Sequence, residues 1–283
     1  MIKGILKNFN DETYILDDDG KEYYKDRIIW DGYIRHWAGQ KICCRELKQK
    51  DYDQELPIII CWPDTEDPKT TFVDLYYNER LVKYFASMLG HTAINVNGKI
   101  FNFSHLINEN EIMSKEEYFY RPAIGEFAPS PNNKNFEILD NGQVFYDKFG
   151  RNFMRSIHRI RVIGIDTDWM MSELKQKLHL IINTSPHSSN LEKYRDFNFF
   201  FNNCATIIRD VFNNIGYKKI KGNFPRELFI SAAYHLSRAN GLKLQYSILP
   251  QLKVPEAPFS IVSPILNPFN YFRLNKLRKL GLL

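Results

Sequence analysis

Asn97-Gly98 constrains this chain more than any other pair of residues. It lies between two β-prone runs, residues 90–96 and 99–104. Asn-Gly in that setting is the strongest short hairpin signal, because a type I′ turn needs positive φ at both central positions. A two-residue turn fixes the register: 96 opposes 99 and, by subtraction, 91 opposes 104. Strand side chains alternate, so 91, 93 and 95 share a face with 100, 102 and 104. His91 then faces Ser104 directly, with Asn102 as its diagonal neighbour. Either can accept a hydrogen bond from the imidazole and fix its tautomer, which makes His91 a candidate base. Taken alone, His91 fits an ordinary strand histidine better.

A second constraint lies a hundred residues on. Counting from Cys204, apolar residues fall at 207, 208, 211, 212 and 215, the period of an amphipathic helix. Asn202 or Asn203 is a natural N-cap and Gly216 a natural stop. Cys204 therefore opens the helix, where unpaired N–H groups and the positive dipole end favour thiolate over thiol. A lowered thiol pKa is what a cysteine nucleophile needs. The competing assignment is a buried structural cysteine, which suits Cys43, Cys44 and Cys61 in their strand-like runs. His158, His179, His187 and His235 have no partner at an informative spacing. Glu126, in Gly125-Glu126-Phe127, reads as a solvated loop acid. No G-x-S-x-G, P-loop, H-E-x-x-H or G-x-G-x-x-G occurs in a usable context.

The chain has 283 residues, 44% apolar and 25% charged, which excludes a disordered protein and suits one large or two modest domains. Short strands are expected at 2–6, 13–16, 28–30, 41–44 and 57–62, and a small β-barrel over 1–70 follows, with a polar linker at 64–70. A second region starts near Phe72. It holds a strand at 160–165, a helix capped by Asp168 and running to 182, polar loops at 129–134 and 183–190, a helix starting at Pro225 and ending near 240, and a strand at 242–248. Residues 251–283 form a Pro-rich basic tail ending in a short helix at 269–280, expected to pack on the body. Residues 1–76 hold 11 Lys/Arg and 16 Asp/Glu, a net of −5, so the overall +5 leaves +10 for the remainder. Neither a spanning apolar run nor a signal-peptide core is present, so synthesis in the cytoplasm is expected. The four cysteines contain no C-x-x-C pair. A zinc site and a disulfide framework are therefore not expected, and no cofactor is implied.

The order Gly90-His91-Thr92-Ala93-Ile94-Asn95-Val96, a second strand with a polar residue, then Asn203-Cys204-Ala205-Thr206 opening a helix resembles the circularly permuted NlpC-type papain-like cysteine hydrolases. In these, His precedes Cys in the chain. Residues 197–209, FNFFFNNCATIIR, are similar in particular to the N-terminal periplasmic domain of Lnb-type bacterial membrane proteins, with its Tyr/Phe-rich approach to Asn-Cys-Ala-Thr. The likeness covers residues 76–250. It implies an α+β permuted papain-like domain behind the N-terminal barrel. Cys204 would be the nucleophile, His91 the base and Ser104 or Asn102 the third residue. The helix start at Asn203 and Cys204 would form an oxyanion hole.

The activity expected is cysteine-dependent hydrolysis of an amide in bacterial cell wall, by an effector exported through a type VI-like machine. A lipid acyltransferase or phospholipase of the same fold, and a catalytically inactive binding adaptor, are the alternatives. The partners expected are a cell-wall peptide or other amide, a secretion carrier or immunity protein, and a membrane surface through the basic tail. With no arginine-rich run and no nucleic-acid module, no nucleic-acid partner is expected.

Overall fold

A computed structural model of the chain describes residues 1–10, 12–50, 56–65, 70–80, 88–105, 110–121, 152, 155–249 and 262–283. They form an α+β protein that divides into two compact units. One comprises Met1–Asp67, Glu116–Met154 and Leu252–Pro258, the other Pro68–Lys115, Arg155–Gln251 and Phe259–Leu283. Glu126 and residues 129–134 lie outside the described residues. Among those residues, no helix is long and apolar enough to cross a membrane.

The first unit is built on an antiparallel sheet of β1 (Ile2–Phe9), β2 (Glu12–Leu16), β3 (Glu22–Tyr23), β4 (Lys41–Lys50) and β5 (Pro57–Pro63), in the order β3-β2-β1-β4-β5. It is an open sheet, not the expected closed barrel: among the described residues no pairing joins β3 to β5. Two things prevent closure. The strand β3 is only two residues long. Residues 28–30, expected as a strand, instead lead into a helix, α1 (Asp31–Trp37). Tyr33 and Trp37, one turn apart on α1, stack at 5.3 Å and close the core over Leu6, Ile15, Ile42 and Ile59. Each such fully buried apolar side chain contributes about 1.5–3 kcal/mol. The helix α2 (Lys115–Tyr120) supplies Glu116 and Glu117, both 3.2 Å from the Arg45 guanidinium, and Tyr120, whose ring meets Trp37. Those contacts place Glu116, Glu117 and Tyr120 in the first unit, inside the 76–250 span that the sequence assigns to the second domain.

The second unit has a six-stranded antiparallel sheet ordered β13-β10-β6-β7-β8-β9. Its strands are β6 (Val73–Asn78), β7 (His91–Val96), β8 (Lys99–Asn102), β9 (Glu111–Ser114), β10 (Ile157–Ile163) and β13 (Lys243–Leu249). The hairpin turn has Asn97 at φ 50° and Gly98 at φ 88°, and the register runs Val96↔Lys99, Asn95↔Ile100, Ile94↔Phe101. One face of the sheet is apolar: Val73, Leu75, Tyr77, Ile94, Val96, Phe101, Ile160 and Val162 pack into one core with helices α3 (Thr167–Ile182), α4 (Cys204–Asn214) and α5 (Pro225–Leu236). A last helix, α6 (Pro268–Lys279), packs on α5. Asp166 caps α3, not Asp168, with its side chain accepting from Trp169 N–H.

The alternate residues of β6, β7 and β10 carry a buried polar network. Asp74 takes two 2.7 Å bonds from Arg161, accepts from Tyr76 Oη at 3.1 Å, and Tyr76 accepts from Asn95 Nδ2 at 3.0 Å. Every partner in it is satisfied, as burial of charge requires. The stretch expected as a polar loop at 183–190 holds a small hairpin of β11 (Pro186–His187) and β12 (Asn190–Tyr194). A two-residue strand leaves no periodicity to read.

Candidate active site

The start of α4 is held from both sides. Asn203 is in extended geometry at φ −132°, and its Oδ1 accepts from Ala205 and Thr206 N–H at 2.8 and 3.1 Å. Thr206 Oγ1 accepts from Asn203 N–H at 2.8 Å, closing a capping box. Asn203 Nδ2 donates to the carbonyls of Phe199 and Asn223 at 2.6 and 3.0 Å. The loop before it turns on Asn198, whose side chain accepts from Phe200 and Phe201 N–H. Asn203 is thus fully engaged as the cap. Of the expected oxyanion pair, this leaves the N–H of Cys204 as the helix-start donor.

His91 enters β7 from Gly90, which has φ +78°. A Cβ there would come within 2.5 Å of Asn78 O and 2.7 Å of the Tyr77 ring, so only glycine fits. His91 Nε2 lies 2.7 Å from Asn102 Oδ1. An amide oxygen only accepts, so Nε2 carries the hydrogen and Nδ1 holds the lone pair. Ser104, the other candidate, is engaged elsewhere: its N–H donates to Asn110 Oδ1 at 2.6 Å and its hydroxyl lies 3.5 Å from His105 Nδ1. Between the two readings left open by the hairpin register, the structure brings Asn102 to the imidazole.

The helix α4 packs against β7. The backbone N–H groups of Thr92, the residue after His91, of Ala205 and of Cys204 itself act on the Cys204 sulfur in favour of thiolate. Arg155, 5% exposed and two residues before β10, acts electrostatically on both side chains. The sequence reading missed it, since a lone arginine carries no motif.

Burial pushes the Cys204 thiol up to about 11, against the Thr92 and Ala205 N–H groups and the Arg155 charge, which favour thiolate. The expectation of a lowered thiol pKa is reversed: desolvation outweighs the helix-start donors. Burial, then the Arg155 charge, pulls His91 down to about 4, with the Asn102 hydrogen bond opposing. Near neutral pH Cys204 is a thiol and His91 a neutral imidazole. Burial penalises the charged form of each.

A second histidine cluster lies in the same unit. His158 Nδ1 is 2.8 Å from Tyr246 Oη and Nε2 is 2.8 Å from Glu79 Oε1, with Tyr77 stacked on the ring at 5.4 Å. This ties β6, β10 and β13 together. Its partners stand 79 and 88 residues away, so no spacing in the sequence announces it.

A 126-residue stretch, 44% of this chain, is 24% identical to the "Probable DNA polymerase YorL" of Bacillus subtilis (strain 168). The same figures hold for the "DNA-directed DNA polymerase" of Bacillus phage SPbeta. The chain spans 9% of the length of these curated relatives. No family model and no solved structure matches it.

Proposed function

We propose that this protein is a cysteine-dependent acyl-transfer enzyme of permuted papain-like type, hydrolysing an amide. One observation carries the reading. Cys204 opens the capped helix α4, which packs against β7, the strand that His91 begins, while the Asn102 hydrogen bond leaves the lone pair on His91 Nδ1. In the proposed reaction the Cys204 proton passes to Nδ1 as the sulfur bonds to the carbonyl carbon. The Cys204 N–H steadies the oxyanion. The C–N bond then breaks, the imidazolium returns its proton to the leaving amine, and water releases the acyl group by the same route. A bacterial cell-wall peptide is the preferred substrate. The support for it is the resemblance of residues 76–250 and the net +10 outside residues 1–76. The test is intact-mass analysis after incubation with an activated acyl ester and with purified peptidoglycan. An acyl adduct on Cys204, absent from Cys204→Ala, is expected. Adducts on none of the four cysteines, with no product released, overturn the reading.

The polymerase match favours a second reading, a non-catalytic module that accompanies DNA replication proteins. Fluorescence anisotropy with single-stranded and duplex oligonucleotides tests it. Tight, salt-dependent binding that survives Cys204→Ala supports this reading over the first.

A further inference from the structure

We infer that the end of the second unit where α4, α5 and α6 begin docks onto an anionic lipid bilayer surface. The inference is independent of the acyl-transfer reading. Two sets of exposed aromatic residues are fastened to the start of α5. The first is the loop before α4, where Phe201 is 74% exposed and Phe200 55%. Phe199 and Phe200 pack on Phe224, the residue that caps α5, at 5.8 and 6.1 Å.

The second set is on α6, where Phe269 and Phe272 are 73% and 72% exposed. The approach to α6 is fastened to the first turn of α5. Glu227 accepts from Leu266 N–H, from Asn267 N–H at 3.1 Å and from Asn270 Nδ2, and Arg226 donates to Ser263 O. Both sets are therefore anchored within residues 224–227.

The helix α6 divides into a face packed on the protein and an exposed face. Asn270, Leu274 and Leu277 face inward, with Asn270 and Leu277 buried and Leu274 packed on the core. Phe269, Phe272, Lys276, Lys279 and Leu280 are exposed on the outer side. Aromatic residues lead and lysines follow along one stripe, so rings can enter the acyl boundary while ammonium groups meet headgroup phosphates. Charge selects the partner. The helix α6 carries Arg273, Lys276, Arg278 and Lys279 and no Asp/Glu, and Glu227, in the first turn of α5, is buried and used internally. A basic surface of this kind gains about 1 kcal/mol per Lys/Arg near an anionic leaflet. Single-stranded DNA also takes basic and aromatic surfaces, but it is gripped by ring stacking. Here exposed aliphatic side chains, Leu266 at 55% and Leu280 at 67%, share the surface with the rings, and these have no stacking role.

The experiment is flotation of the full chain with phosphatidylcholine vesicles, with and without about one-third phosphatidylglycerol. Binding to the anionic vesicles alone is expected, falling as salt rises. Phe269→Ser/Phe272→Ser should lower the bound fraction about ten-fold, and Phe200→Ser/Phe201→Ser should lower it too. These side chains are exposed, and an unchanged thermal midpoint shows that the fold is kept. Lys276→Glu/Lys279→Glu is a second probe, which should abolish the preference for anionic lipid. A wild-type chain that does not float at low salt overturns the inference. So does floating unaffected by all three double variants, or binding to single-stranded DNA with none to vesicles.

Discussion

The four cysteines of this chain divide between its two units, and the contrast between them is instructive. Burial raises every thiol: Cys43 to about 11, Cys44 to about 12, Cys61 well upward, Cys204 to about 11. By that measure Cys204 is no more reactive than its counterparts in the first sheet. The surroundings differ in kind. Cys43 donates its S–H to Asp64 at 3.3 Å, and a carboxylate there favours the thiol. Cys44 and Cys61 oppose each other across β4 and β5 in an apolar core. Only at Cys204 do backbone N–H groups and a guanidinium point the other way. In the proposed reaction, Cys204 is set apart by what its surroundings would do once the proton has left, not by the resting pKa.

The largest expected effect breaks the comparison outright. Cys204→Ala should reduce turnover by about 10³-fold or more, while Cys43→Ser should leave it within two-fold of wild type. Equal losses for both would mean that the site is not at α4. Next comes Arg155→Met, which keeps the stem and removes the charge. Iodoacetamide alkylation of Cys204 at a fixed pH should slow about ten-fold, the equivalent of one pKa unit, while Cys43 and Cys44 keep their rates. Smaller again, Asn102→Ala should slow turnover while thermal stability stays near wild type, and Ser104→Ala should do less. The reverse order would move the orienting role to Ser104. The smallest effect is on stability. His91 titrates near 4 when folded and near 6.5 as an unperturbed group. Its contribution is complete above 6.5 and is lost as pH falls toward 4, because the unfolded chain binds the proton first. Calorimetry should show the midpoint falling across that window, with a shallower fall in His91→Asn.

The parts of this arrangement that the sequence announces are local ones. Asn97-Gly98 places His91 and Asn102 on one face through a register that two residues suffice to set, and the 3.6-residue period from Cys204 places α4 against the sheet. The same local rules narrow the cap to Asn202 or Asn203, and the structure selects Asn203. Choosing Asn102 over Ser104 took the structure, because Asn110 captures the Ser104 amide from outside the hairpin. Arg155 and the Glu79–His158–Tyr246 cluster are products of strand order, which pairs β6 with β10 across about eighty residues. The direction of the Cys204 shift was illegible for another reason: the dipole at a helix start can be read from sequence, but the depth of burial cannot. The first unit's openness rests on the helix of Tyr33 and Trp37, which at seven residues is too short to leave a clear period in the sequence beside the β-prone residues 28–30.

Gly90 reacts with nothing, yet it governs how a mutational scan of this protein should look. Any side chain at 90 would have to displace the carbonyl of Asn78, the residue that pairs with His91 in the sheet. A scan scored on turnover alone would therefore rank position 90 beside 91 and 204. A parallel score of protein abundance would separate them: variants at 91 and 204 should accumulate normally, and those at 90 should be depleted, even as alanine.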